Sequence, residues 1–414
     1  MSLTKWHEGH RVTLLENGEE FYPRVLAAIA AAQREVLLET FILFDDPAGQ
    51  PLQQAVIAAA ARGVSVQMTL DGWGSATLPQ PFIDAMTAAG VRIHIYDPVK
   101  WRFGRRTQMF RRLHRKLLVI DQRIAWCGGI NFAHDHLRDY GAQSKQDYAL
   151  EVEGPVVADI HRAMLVMLPK RLRPKQPSWQ WLRRRQRAAA VVPATSAAGT
   201  ALAAFLIRDN GLHRADIERI YRVGIRAAKR QIVIANAYFF PGYRLLRDLR
   251  QAARRGVDVR LILQGNPDMR WVQWAANTLH DHLLRAGVHI YEYCERPMHA
   301  KVALIDDDWV TVGSSNLDPL SLFLNLEANL VVRDAPLAAT LRTSLNRLMD
   351  HHCREILPQQ AKQRTLLRQI LSYVAYHVTR RLPVIAGWMP AHAPTHRVLP
   401  EPAPDRDGDG HEKI

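Results

Sequence analysis

His114, Lys116, Asp121, Gly128, Gly129 and Asn131 form a cassette, His-x-Lys-x4-Asp-x6-Gly-Gly-x-Asn, and His299, Lys301, Asp306, Gly313, Ser314 and Asn316 repeat it at the same spacing. A lone His-x-Lys carries no information, whereas two full cassettes in one chain point to a single site assembled from two halves. The residue types suit attack on a phosphodiester. Its anionic oxygens repel nucleophiles, so fixed cations and donors must neutralise them, and two Lys ammonium groups and two Asn amides supply these. One imidazole can then attack phosphorus to give a covalent phospho-histidine. A second, protonated imidazole hands a proton to the departing alkoxide and afterwards deprotonates the incoming alcohol or water.

Each imidazole needs an orienting partner. Asp147, in Asp-Tyr-Ala-Leu-Glu-Val, and Glu327, in Glu-Ala-Asn-Leu-Val-Val, open apolar strands at equivalent places downstream of the cassettes. A strand-end acid ordinarily pairs with a nearby Arg, but its recurrence in both halves favours carboxylates that hold the His rings. Asp121 and Asp306 read differently. Residues i and i+2 of a strand share a face, so each His and Lys point the same way, while an odd offset puts the Asp on the opposite face or in the following turn. That geometry marks both as structural carboxylates. Ser314 stands where the first cassette has Gly129, and its hydroxyl is expected to serve only a turn.

The elements that position these groups repeat as well. Arg34 to Ile42 answers to Arg230 to Tyr238, Ala61-Arg-Gly-Val64 leading to Asp71-Gly72 answers to Arg254-Arg-Gly-Val257 leading to Gln264-Gly265, and Ala89-Gly-Val91 answers to Ala286-Gly-Val288. This is a duplicated fold. Within the first half, Pro23 to Ala32 and Gln53 to Ala61 read as helices, and Glu35 to Phe44 and Val64 to Leu70 as buried strands. The cassettes begin at strands, Arg115 to Asp121 and Lys301 to Asp306, each followed by a turn and a second strand at Arg123 to Trp126 or Trp309 to Val312. The expected class is α/β, with helices packed on mixed sheets.

With 414 residues and 48% hydrophobic content, the chain can bury two domain-sized cores. Its net charge of +15 calls for an anionic partner, whether lipid, nucleic acid or phosphorylated substrate. Cys127, Cys294 and Cys353 are too few and too scattered for a disulfide framework or a zinc site. A reducing setting and the absence of any metal or cofactor are the expectations. No signal peptide and no apolar run of spanning length is evident, so contact with a membrane is expected from the side.

The doubled cassette resembles the phospholipase D superfamily, over roughly residues 8 to 350. Arg106-Thr-Gln-Met-Phe-Arg-Arg-Leu-His-Arg-Lys116, Asn236-Ala-Tyr-Phe-Phe-Pro-Gly242 and Val312-Gly-Ser-Ser-Asn-Leu-Asp-Pro-Leu-Ser321 are similar to the bacterial cardiolipin synthases, of the shorter B type. The resemblance implies two α/β/α domains related by a pseudo-twofold axis, with the active site at their interface. It also implies phosphatidyl transfer between two phosphatidylglycerol molecules, with His114 as nucleophile and His299 as acid and base. Lys116, Lys301, Asn131 and Asn316 map onto phosphate-binding positions, Asp147 and Glu327 onto His-orienting acids, and Asp121 and Asp306 complete the catalytic signature. The implied partner is an anionic phospholipid surface on the cytoplasmic face of the bacterial inner membrane, with no nucleic acid.

The domains are expected at 1–169 and 201–355. Between them, 170–200 is a basic linker in which Trp179 and Trp181 sit among arginines, a composition suited to membrane docking. A second basic, aromatic stretch, Lys100 to His114, is expected to gather head groups at the mouth of the site. Residues 356–414 hold an amphipathic stripe at Thr365 to Met389 and a disordered tail, in which Asp405, Asp407 and Asp409 imitate the start of a calcium loop without its closing Glu. Rival readings of the same cassettes are a hydrolytic phospholipase D, a transferase to another alcohol such as serine, and, more distantly, a nuclease. A nuclease would need a long basic track with stacking aromatics.

Overall fold

The computed structural model describes residues 4–102, 105–107, 111–168, 197–265, 279–357 and 395–399. The first half runs β1 (His7–Glu16), α1 (Asn17–Ala31), β2 (Glu35–Thr40), α2 (Gly49–Ala61), β3 (Ser65–Asp71), α3 (Gln80–Ala88), β4 (Arg92–Tyr96), β5 (Lys100–Arg102), β6 (Arg105–Thr107), β7 (Leu117–Ile120), β8 (Ile124–Gly128), β9 (Tyr148–Glu153) and α4 (Val157–Met167). The second runs β10 (Ala201–Arg208), α5 (Asp216–Ala227), β11 (Gln231–Asn236), α6 (Tyr243–Arg254), β12 (Asp258–Gln264), β13 (His289–Tyr293), β14 (Lys301–Ile305), β15 (Trp309–Gly313), α7 (Pro319–Phe323), β16 (Glu327–Arg333), α8 (Ala335–His352) and β17 (Cys353–Glu355). A last strand, β18 (His396–Leu399), pairs with β4 at the outer edge of the first half. The Trp179 and Trp181 linker, Phe103 and Phe110, the stripe at 365–389 and the acidic tail lie outside the described residues.

The strands form one mixed sheet in the order β17-β13-β12-β11-β14-β15-β16-β10-β1-β9-β8-β7-β2-β3-β4-β18. Its two halves mirror each other about the antiparallel contact of β1 with β10, and the run β1-β9-β8-β7-β2-β3-β4 matches β10-β16-β15-β14-β11-β12-β13. The pairs β2/β3, β3/β4, β11/β12 and β12/β13 are parallel, and the others are antiparallel. Strands such as β2, Glu-Val-Leu-Leu-Glu-Thr, carry apolar residues toward both faces because helices cover both. On one face α4 and α8 pack over a core shared by the halves, with Val119, Val152 and Ile160 beside Val302, Leu330 and Leu341. On the other face each half has its own core. The first lies under α1, α2 and α3, and the second under α5 and α6, where Ile217, Ile220, Tyr221 and Ile225 recur at helical spacing.

Candidate active site

The halves are stitched together where the cassettes begin. The His114 N–H donates to Leu326 O at 2.9 Å and the Leu326 N–H to Arg112 O at 2.8 Å; in mirror image, the His299 N–H donates to Gln146 O at 2.8 Å and the Gln146 N–H to Pro297 O at 2.9 Å. Each His segment therefore runs beside the residues that precede the other half's acid. The consequence is a crossover. His114 Nδ1 donates to Glu327 Oε2 at 3.0 Å, and His299 Nδ1 to Asp147 Oδ2 at 2.5 Å. A carboxylate on Nδ1 fixes the proton there and turns Nε2 to the substrate, as a lone pair on a neutral ring and as a donor on a protonated one.

Second supports hold the same groups. The backbone N–H just before each His is accepted by a side chain ending the third strand of its half: Leu113 N–H by Asp71 Oδ2 at 2.9 Å, Met298 N–H by Gln264 Oε1 at 2.5 Å. Lys116 Nζ donates to His114 O at 2.8 Å, and Lys301 Nζ to His299 O. Phe41 packs edge-on against His114, with ring centroids 5.0 Å apart, and lies 5.3 Å from the Lys116 ammonium.

Burial sets the electrostatics. It pulls Lys116 down to about 7 and Lys301 to about 8, against the attraction of Glu327 and Asp147. It also lowers His114, despite Glu327, and lowers His299 well below the usual imidazole range, reinforced by Lys301 and Lys145. Asp147 is pushed up to about 6 by burial, opposed by Lys301. Glu327 behaves otherwise. Burial acts to raise it, but His114, Lys116 and the Ser314 hydroxyl together leave it below its ordinary value. The two buried lysines sit close enough for Lys301 to weaken the charge on Lys116, and a bound phosphodiester would favour the charged form of both.

Six of the sequence candidates thus come together: His114, Lys116, Asp147, His299, Lys301 and Glu327. The amides are not equivalent. Asn131 Oδ1 accepts the Ile42 N–H at 3.2 Å, which ties two loops, whereas in the second half Asn236 Oδ1 makes the matching tie to Leu317 N–H at 3.2 Å. Asn316 is released from that duty and keeps a buried amide oxygen with no partner.

Asp121 and Asp306 are not brought to the site, which corrects their place in the catalytic set. Both sit at positive φ, 52° and 49°, in the turns after β7 and β14, a conformation that Asp tolerates. Asp121 accepts the backbone N–H groups of Gln33, Arg34 and Glu35; Asp306 accepts those of Lys229, Arg230 and Gln231. They pin the entry of β2 and β11, at the far end of the cassette strands from the histidines. Arg112 also departs from expectation. Instead of gathering head groups it is 3% exposed, with Nε 3.0 Å from both Asp71 oxygens and Nη1 3.0 Å from Asp97 Oδ2. Ser314 does more than turn the chain: its hydroxyl donates to the Glu327 oxygen that orients His114, at 2.5 Å. Gly129, its counterpart, has no room for a side chain, because a Cβ there would lie 2.3 Å from Asp147 Oδ1.

His136 was not marked by the sequence. It is fully buried, its Nε2 accepts the Asn131 N–H at 3.2 Å, its Nδ1 has no partner, and its ring meets His299 edge-on at 5.5 Å. Only its place in His134-Asp-His136, which has no twin in the second half, sets it apart. Among the described residues, His136, Asp147 and His299 are the group whose ligand atoms could close on a metal ion, within 4.8 Å of one another. Lys116, Lys145 and Lys301 all act on this cluster and oppose a dication there.

Two mirrored His-x-Lys strands with crossed acids, carried on a duplicated mixed sheet, define a phosphodiester-handling protein of the phospholipase D type. The chain belongs to the family described as cardiolipin synthase, PLD-like domain, whose model matches residues 25–165 and 221–349. It is 49% identical over 398 residues to cardiolipin synthase B of Salmonella typhi and 47% identical over 398 residues to that of Escherichia coli K12, covering 96% of this chain and 94% of each relative. Among solved structures, phosphatidylserine synthase of Haemophilus influenzae superposes with a TM-score of 0.68 at 13% identity, over 89% of this chain and 94% of that one. At that identity the likeness shows the fold. Among the described residues, no helix is long and apolar enough to cross a membrane.

Proposed function

We propose that the protein is a cardiolipin synthase, a phosphatidyltransferase that joins two phosphatidylglycerol molecules and releases glycerol. The observation that carries this reading is the crossed pair of His–acid dyads with a lysine beside each His, in a chain this similar to cardiolipin synthase B. His114 Nε2 attacks phosphorus and forms the P–N bond, while the glycerol oxygen leaves with the Nε2 proton of His299 in its protonated form, which Asp147 and the bound phosphodiester favour. His299 then takes the proton of the second phosphatidylglycerol's head-group hydroxyl, whose oxygen attacks phosphorus as the P–N bond breaks. Lys116 and Lys301 hold the phosphoryl oxygens throughout, aided by the amides of Asn131 and Asn316. The chain works as a peripheral protein on the cytoplasmic face of the inner membrane, with no cofactor.

The test is lipid analysis after incubation with phosphatidylglycerol vesicles. Cardiolipin and glycerol are expected in equal amounts, and His114→Ala and His299→Ala should each reduce the rate by about a thousandfold or more. Phosphatidic acid as sole product would make the acceptor water and overturn the transferase reading.

A further inference from the structure

Five apolar side chains stand out from one end of the second half. Leu212 is 90% exposed, Tyr243 55%, Leu320 43%, Phe323 42% and Tyr238 36%. They lie on three connections, a turn at Leu212, the segment from Tyr238 to the start of α6, and α7, and each connection leaves its strand at the end that carries the site. Arg208, the last residue of β10, pairs with Glu327; Asn236, the last of β11, pairs with Lys301; and α7 begins three residues after Asn316. The loops are tied to one another. The Phe240 N–H donates to Leu317 O at 2.7 Å, and the Arg208 guanidinium donates to Asn325 O at 2.6 Å and to Phe323 O.

Leu212 is held outward by its own turn. Asp209 Oδ1 accepts the N–H groups of Gly211 and His213 at 2.9 and 2.8 Å, so the leucine is presented by a built loop. Exposed Arg214, Arg244 and Arg247 flank the apolar tips. The corresponding end of the first half is different in kind: Leu43 is buried, and Asp45, Arg138 and Asp139 are exposed there beside Tyr140. An apolar rim edged with arginines, with tyrosines among the apolar tips, matches the interface of an anionic bilayer. Leucine and phenylalanine enter the acyl boundary, tyrosine lies at head-group level, and arginine meets phosphate.

We infer that this second-half rim is the surface on which the protein docks to an anionic bilayer, setting the mouth of the site into the head-group layer so that a lipid reaches His114 and His299 without leaving the membrane. The inference rests on the lipid-phosphodiester reading above and assigns it a surface.

The experiment uses the full chain and phosphatidylglycerol vesicles in co-sedimentation, with Leu212→Asp, Phe323→Asp and the double variant. Each single change is expected to cut vesicle partitioning about tenfold, because an inserted side chain is lost. Turnover of a dispersed, short-chain phosphatidylglycerol should stay within about twofold of the parent. Partitioning of the double variant equal to the parent's would overturn the inference. So would a parent dimer that the double variant splits with vesicle binding unchanged, since the rim would then join two copies. A parent that docks through the rim yet turns over no lipid would sink the proposed chemistry and leave the docking surface standing.

Discussion

The two cassettes share their chemical residues but are braced by opposite means. In the first half Arg115, between His114 and Lys116, is buried in a two-pronged pair with Glu39 at 2.9 Å on each prong, and Arg112 is buried against Asp71 and Asp97. In the second half the matching positions are Ala300 and Ala235 for Arg115 and Glu39, and Pro297 and Gln264 for Arg112 and Asp71. The first half spends a buried ion pair where the second has two buried alanines, and both deliver His and Lys to the same place. If a buried ion pair balances its desolvation cost without adding much stability, the brace should be exchangeable where the cassette is not. The acids differ too. Glu327, serving His114, stays below its ordinary value, while Asp147, serving His299, is pushed up to about 6 by burial.

The acids offer the sharpest way to break the comparison. Asp147→Asn and Glu327→Gln should each lower kcat/KM on the order of 10²- to 10⁴-fold, as loss of a His-orienting carboxylate does. Their pH profiles should differ. Asp147 is raised, so it is a carboxylate only above about 6, and the parent's acid limb should fall as pH drops through that value. Asp147→Asn should flatten that limb and Glu327→Gln should keep it; an identical limb in both variants would assign it to another group.

The brace comes next. Glu39→Ala leaves Arg115 buried without its partner and should cost about 3–5 kcal/mol in denaturant unfolding. Adding Arg115→Ala, which copies the Ala235 and Ala300 pair of the second half, should recover more than half of that loss. A double variant as unstable as the single one would show that the braces are not exchangeable.

Asp121 and Asp306 should behave alike, since each holds three backbone N–H groups. Asp121→Asn or Asp306→Asn should cost about 1–3 kcal/mol of stability and leave kcat within about twofold. Burial acts to raise both carboxyls, but the three donors leave them below the ordinary range. The stabilisation is then complete above an unfolded value of about 4 and is lost as pH falls through the depressed folded value. Unfolding midpoints measured from acid to neutral pH check this, and a variant that loses activity with its stability unchanged would return the Asp to the chemistry. Ser314→Ala should have the smallest effect, about 3- to 10-fold in kcat, through the lost donor to Glu327. No change would make Ser314 as idle as Gly129.

Much of the fold was legible because it is written twice. Matching landmarks such as Arg-Gly-Val before Asp71 and before Gln264 locate β3 and β12 without any contact being known, and the apolar runs of β7 and β14 follow from their composition. Less visible was the junction: nothing in His7–Glu16 or Ala201–Arg208 announces that β1 and β10 join the two sheets into one. In the site, the odd offset of Asp121 and Asp306 correctly suggested a turn. Arg112 was misread because a run of basic residues looks solvated until Asp71 and Asp97, distant in sequence, are folded against one of them.

By itself the sequence determined the chemistry. Two imidazoles, two ammonium groups, two amides and two acids at repeated spacing admit little besides phosphodiester transfer, because residue type and strand period are local properties. Only the tertiary structure decided who serves whom. His114 is held by Glu327, 213 residues away, and His299 by Asp147, 152 residues away. The same folding placed His136 against His299, spent Asp121 and Asp306 on backbone, and put the apolar tips at one end of one half. Contacts between such distant positions leave no periodicity in the chain, and they exist only once the shared sheet has closed the loops between them.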